Sequence, residues 1–217
     1  MKKIISLLGI LFLMLNVSCN NTIANNNKND RKNNDKMGTK INTSKEKILV
    51  VFFSQAGEQY SVENIEVGNT KIVADYISEY TGAEQFEIKA IKDYNMPYNK
   101  LTEVAKREAN EGELSDFKGK IENMDQYETI FIGGPVWWGT YPQVMFSFFK
   151  EYDLNNKTII PFTTHEGSGL ASCVGDVKEA YPKANVLEGF AIYGHEVRTN
   201  KDKVINWLKG LGFQENR

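Results

Sequence analysis

The chain has 217 residues, 41% of them hydrophobic, which is enough for one domain with a full core and too few for two ordinary ones. Its formal charge of −2 is unevenly divided, because residues 47–217 hold 18 Lys/Arg against 25 Asp/Glu, a net of −7. A domain that acidic repels phosphate backbones and argues against a nucleic-acid partner.

The first segment is of a different kind. Lys2-Lys3 leads twelve mainly apolar residues, Ile4 to Leu15, a run too short to span a bilayer and readable as the apolar core of a signal peptide over residues 1–19. Its end, Leu15-Asn16-Val17-Ser18-Cys19, resembles a bacterial lipobox with Asn16 in place of the usual aliphatic residue. The expectation is that Cys19 carries lipid and becomes the mature N-terminus; the plainer alternative is a cleaved signal with an incidental cysteine. Residues 20–46, rich in Asn and Lys and nearly free of aliphatics, cannot bury enough surface to fold and read as a tether. A flexible coil of that length spans roughly 25–30 Å. Its six Lys/Arg against three Asp/Glu favour anionic lipid. The expected location is the bacterial cell envelope, outside the cytoplasm and lipid-anchored to a membrane.

From Lys47 onward strand-like and helix-like segments alternate. Ile48 to Phe53 is an unbroken apolar run, as expected for a strand covered on both faces. Ile72, Val73, Tyr76, Ile77 and Tyr80 mark one face of a helix. Phe86, Ile88 and Ala90 alternate with polar residues like an edge strand, and Met96-Pro97-Tyr98 leads into a charged helix near 101–111. A strand at 129–133, a helix carrying Val144, Met145, Phe148 and Phe149, and a strand from Thr158 to Thr163 follow. A helix over 168–181, a fifth strand from Val186 to Tyr193 and a closing helix with Val204, Ile205, Leu208 and Leu211 complete the series. Cys173 is the one cysteine of this region, expected to be buried on the face of its helix with Leu170, Val174, Val177 and Tyr181, so no internal disulfide forms. Such alternation implies an α/β fold with a parallel sheet between two layers of helices. Ligands in such folds sit outside the carboxyl ends of the strands, which directs attention to the loops after strands one, three and four.

After strand one, Ser54-Gln55 is separated by twelve residues from Gly68-Asn69-Thr70 and the first helix. A helix N-terminus with small hydroxyl and amide side chains can hold an anion, while a plain helix cap at Asn69 or Thr70 explains the same residues. No Walker A lysine and no Gly-x-Gly-x-x-Gly is present. After strand three, Gly133-Gly-Pro-Val-Trp-Trp-Gly-Thr-Tyr-Pro142 places two adjacent tryptophans in a strand-to-helix loop. Trp is costly to expose, so the pair suggests either a slot for a flat ligand or a core or interface patch. Gly139 adds backbone freedom beside them. After strand four, Thr163 to Gly169 combines polar groups with glycines that permit close backbone approach. His165 and His195 alone are weak signals, and no metal site is expected.

Taken together these loops resemble flavodoxin, over roughly residues 47–213. Ser54, Gln55, Gly68, Asn69 and Thr70 match in pieces the family's Ser/Thr-x-Thr-Gly-Asn-Thr phosphate loop. Gly134 to Gly139 matches the loop that packs on the isoalloxazine, and Thr164 to Gly169 the loop on the ring's other side. The resemblance implies a flavodoxin-like three-layer fold for residues 47–217, with a five-stranded parallel sheet in the order 2-1-3-4-5. It implies FMN held by Ser54, Gln55, Gly68, Asn69, Thr70, Pro135, Val136, Trp137, Trp138, Gly139, Thr164, His165, Gly167 and Gly169, with no catalytic residue beyond the flavin. It implies a carrier of single electrons between redox proteins or small acceptors. The departure is Ala56–Val67, an insertion that splits the phosphate loop and is expected to lie at the cofactor rim. An FMN-dependent oxidoreductase passing hydride from NAD(P)H to a quinone or other small acceptor shares the fold, and a surface binding protein with a vestigial flavin site is a third class.

Overall fold

Apolar strands buried on both faces need helices above and below them, and the computed structural model, which describes residues 47–60 and 62–216, is built on that requirement. The expected signal peptide and tether, with Cys19, lie outside the described residues. In chain order come β1 (Lys47–Phe52), a hairpin of β2 (Gly57–Gln59) and β3 (Val62–Ile65), α1 (Asn69–Thr81), β4 (Glu84–Glu87), β5 (Lys89–Ala90), α2 (Tyr98–Glu111) and β6 (Phe117–Lys118). Then follow β7 (Tyr127–Pro135), α3 (Gln143–Glu151), β8 (Thr158–His165), α4 (Cys173–Ala180), β9 (Asn185–Val186), β10 (Phe190–Tyr193), a 3-10 segment Gly194–Thr199 and α5 (Lys201–Gly210).

The central sheet is parallel and runs β4-β1-β7-β8-β10, with β9 beside β8 at the same edge, which is the expected 2-1-3-4-5 order. One core lies on the side of α2, α3 and α4 and includes Leu101, Val144, Phe148, Cys173 and Val177. The other lies under α1 and α5 and includes Val73, Ile77, Val204 and Leu208. From β1 the chain moves one way to β4, then returns across the sheet to β7 and beyond. The topological switch point therefore falls between β1 and β7, at the loops holding the split phosphate pattern and the two tryptophans.

Three details depart from the expected elements. The fifth strand is interrupted at Leu187–Gly189. Leu187 N–H still donates to Ile159 O (2.9 Å), but Pro161, two residues along β8, has no N–H to return, and the ladder resumes only at Phe162↔Phe190. The strand expected through Ala90 leaves the sheet after Glu87, where β1 runs out, and β5 pairs antiparallel with β6 instead. Helix α4 starts at Cys173 rather than at 168, because Gly167 (φ 130°), Gly169 (φ 60°) and Ala171 (φ 45°) hold the preceding residues in non-helical turns. Cys173 is fully buried, and burial raises its thiol pKa, so it is an unreactive packing group.

Candidate functional site

Gly68 is the residue before α1 and has no side chain with which to cap it. Ser54 does so from the end of β1: its Oγ accepts the Lys71 N–H at 3.0 Å. The contact demands a glycine, since a Cβ at Gly68 would lie 2.3 Å from Ser54 Oγ and 2.7 Å from Gln55 O. Ser54 and Gly68 thus meet despite the twelve-residue insertion. The Asn69 and Thr70 N–H groups, first-turn donors with no partner inside the helix, are left at the positive end of α1. Thr70, 1% exposed, shares a 2.8 Å hydrogen bond with Thr164 at the end of β8, joining the first and third loops. Asn69 Oδ1 accepts from Arg198 Nη1 (2.7 Å), whose Nη2 donates to Val67 O (2.7 Å). Gln55 turns elsewhere, its amide donating to Ala56 O (2.8 Å) and Tyr94 O (3.3 Å).

The two tryptophans have different positions. Trp137 N–H donates to Thr140 O (2.9 Å) and Thr140 N–H to Trp137 O (3.3 Å), closing a two-residue turn with Trp138 (φ 53°) and Gly139 (φ 84°) at its corners. Two successive positive φ values define a type I′ turn, in which Gly is at home and Trp is strained. Trp137 points inward and packs edge-on against Tyr94 (5.3 Å between centroids) and Phe53 (5.5 Å). Trp138, 54% exposed, lies on α2, where its Nε1 donates to Thr102 O (2.8 Å) and Lys106 Nζ sits 4.7 Å from its ring centre. The Gly139 carbonyl accepts from both the N–H (3.0 Å) and the Oγ (2.8 Å) of Ser172, which holds the turn against the start of α4.

In the third loop, Thr163 Oγ1 donates to Gly169 O (2.9 Å) and Gly167 N–H donates to His165 Nδ1 (2.9 Å). The second bond requires Nδ1 to be unprotonated, in keeping with a pKa lowered by burial. Glu166 accepts from the His195 N–H (3.0 Å) and faces His195 Nδ1 at 2.6 Å.

These loops enclose a cleft of about 370 Å³, within the usual range for small-molecule sites. One side is aromatic, made by Trp137, Tyr60 and Tyr98; the other is polar, made by Thr164, His165, Glu166 and Ser168, with Asn69 and Gly194 at the α1 end. Of the expected residues, Asn69, Pro135, Val136, Trp137, Thr164 and His165 line this cleft, while Gln55 and Thr70 line a smaller recess of about 40 Å³ beside it. Ser54, Gly68, Gly167 and Gly169 line neither of these two spaces. Trp138 faces a separate cavity of about 160 Å³ against α2, and Gly139 lines neither space.

Sequence reasoning places Glu166 and Ser168 in the matched third loop and Gln59 and Tyr60 in the rim insertion without giving them individual roles, and it does not single out Tyr98, Gly194 or Arg198. The insertion is a hairpin whose Glu58 carboxylate accepts the Tyr98 N–H at 2.8 Å, thereby capping α2. Pro97 before Tyr98 was a local signal for that helix start; no local signal links Arg198 to Asn69 across 129 residues.

A family model described as Flavodoxin matches residues 47–211. Among solved structures, one from Bacteroides eggerthii DSM 20697 assigned as a flavoprotein is 27% identical, with a TM-score of 0.63 over 77% of this chain and 99% of that one. A similar assignment from Bacteroides uniformis ATCC 8492 is 24% identical, with a TM-score of 0.62 over 76% of this chain and 98% of that one. A flavoprotein in complex with FMN from Lactobacillus acidophilus NCFM is 21% identical, with a TM-score of 0.51 over 70% of this chain and 97% of that one. No curated protein matches the chain.

Proposed function

The chain belongs to the flavodoxin family, and from that premise we propose that its cleft holds FMN and that the protein is an exported, membrane-tethered electron carrier. The observation that carries this reading is the meeting of an aromatic slot with the N-terminus of α1 at the switch point between β1 and β7. The residues fit the group at both ends. Gly68 lets the end of β1 pack against the start of α1, the N–H groups of Asn69 and Thr70 would face a phosphate there, and Ser54 and Thr70 keep hydroxyls beside that helix start. Trp137 presents its ring to the slot, and Thr164, His165 and Ser168 supply polar groups for a heterocycle edge.

Bound FMN would supply the redox chemistry, exchanging single electrons. The protein tunes it through charge and access. Glu166 on the polar wall, within a domain of net −7, disfavours added negative charge and lowers the potential of the reduced cofactor. The same acidic surface steers basic partner proteins. Neutral His165, its Nδ1 occupied by Gly167, is left with Nε2–H as its donor. Lipidation at Cys19 would hold the domain on a membrane of the cell envelope, outside the cytoplasm, through the tether.

Absorption spectroscopy of the purified protein tests the cofactor: the expected result is a flavin spectrum with FMN, and not riboflavin or FAD, in the released fraction. Colourless protein after incubation with FMN would refute the reading. Cys19→Ser is expected to move the protein from the membrane fraction to the soluble one.

A further inference from the structure

We infer that Tyr60, at the tip of the hairpin insertion, and Tyr98, at the start of α2, form an aromatic clamp that contacts the isoalloxazine ring directly and sets its retention and exposure. The inference rests on the FMN reading and adds to it two residues with no match in the family pattern of the three loops.

The hairpin carries Tyr60 to the cleft on a braced arm. Glu58 fixes one end of the arm to the Tyr98 N–H, and Gln59 Nε2 donates back to Glu58 O (3.1 Å), Gly57 O (3.4 Å) and Gln55 O (3.4 Å). The Tyr60 and Tyr98 rings lie 6.0 Å apart at 40°, and both line the same cleft as Trp137. That mutual contact leaves Tyr60 57% exposed. Large aromatic surface displayed at the mouth of a cleft is a binding surface awaiting a flat partner. Tyr98 is less open, and burial followed by the presence of Tyr60 raises the pKa of its hydroxyl.

The loop after β8, Glu166 to Ser172, has no Phe, Tyr or Trp with which to cover a ring. The aromatic contact such a loop could supply comes here from the insertion and α2. The twelve extra residues therefore have a task at the cofactor: they return to the slot a side chain that its neighbouring loop lacks.

Titration of apoprotein with FMN, followed by the fluorescence of the bound flavin, tests the clamp. Tyr60→Ala, on an exposed hairpin tip, is expected to raise Kd about tenfold, the scale of one base–aromatic stacking contact. It should also increase the fluorescence yield of bound flavin, because the oxidisable phenol of a neighbouring Tyr quenches it by electron transfer. Tyr60→Phe is expected to restore Kd but not the quenching, a split that a merely structural change in the hairpin would not produce; Tyr98→Ala and Tyr98→Phe should repeat the pattern. Wild-type binding with Tyr60→Ala and the double alanine variant unchanged in Kd and fluorescence would overturn the clamp and leave the FMN reading standing. Failure of the wild-type protein to bind FMN would bring down both.

Discussion

The two walls of the cleft are held in opposite ways. The polar wall grows directly from the sheet, and three of its groups are secured by another: Thr164 by Thr70, His165 by Gly167, Glu166 by His195. The aromatic wall is assembled from three separate pieces, the turn after β7, the start of α2 and the hairpin, joined by the Tyr60–Tyr98 ring contact, the Trp138–Thr102 hydrogen bond and the carboxylate of Glu58. A family fold dictates the first wall, because strand ends and helix starts must coincide there. The second wall is where one member can differ from another without disturbing the sheet.

The largest break in this contrast should come from Trp137→Ala. It empties the slot and removes two edge-on ring contacts, so FMN affinity should fall about 100-fold by titration, equivalent to about 2.7 kcal/mol. Next is Thr164→Val on the polar wall. It leaves the Thr70 hydroxyl buried without a partner and should cost about 1–2 kcal/mol in urea unfolding, with FMN binding weakened in parallel. Arg198→Ala frees the Asn69 amide beside the phosphate end. An about fivefold loss of FMN affinity with riboflavin binding unchanged would place its effect at the phosphate. Trp138→Asn should be nearly silent, with affinity within about twofold and stability within about 1 kcal/mol, because Asn accepts the positive φ that strains Trp. Equal effects at Trp137 and Trp138 would erase the distinction between an inward and an outward tryptophan.

The smallest effect is a slope with pH. His165 has a folded-state pKa below its ordinary 6.5, set first by burial, with His195 acting in the same direction and Glu166 and Glu196 opposing. The unfolded chain then binds more protons over that window. The stability linked to His165 is fully present above pH 6.5 and is lost as the pH falls through the lowered value. His165→Asn, which keeps an acceptor for Gly167, should flatten this part of the Tm–pH curve between pH 7.5 and 5.5. An unchanged curve would mean that the loop bond does not depend on the imidazole.

Much of this architecture was legible in the sequence. Runs such as Ile48–Phe53 and Ile130–Ile132 fit only strands covered on both faces, and the switch point followed from the resulting order. The Gly-Gly pair before the tryptophans proved to be a packing requirement: a Cβ at Gly133 would lie 2.0 Å from the Phe162 ring, and one at Gly134 would lie 2.9 Å from Tyr141. Other features left no local trace. Periodicity cannot separate Trp137 from Trp138, whose opposite orientations depend on two consecutive positive φ values. The hairpin strands Gly57–Gln59 and Val62–Ile65 are too short and too polar to announce themselves. Ser54 caps a helix by a bond to a residue 17 positions away, a structural duty that no local spacing in the sequence announces.

The bond between Asn69 and Arg198 joins residues 129 apart, and that between Thr70 and Thr164 joins residues 94 apart. Contacts of such long range must wait for closure of the loop between them, so they form late in folding. On the export route proposed above, with an unfolded chain threaded N-terminus first, α1 would emerge long before the residues that complete its surroundings. The cradle would then be finished only when β8 and the 3-10 segment have docked. Cofactor capture would in that case be a closing event of maturation outside the cytoplasm.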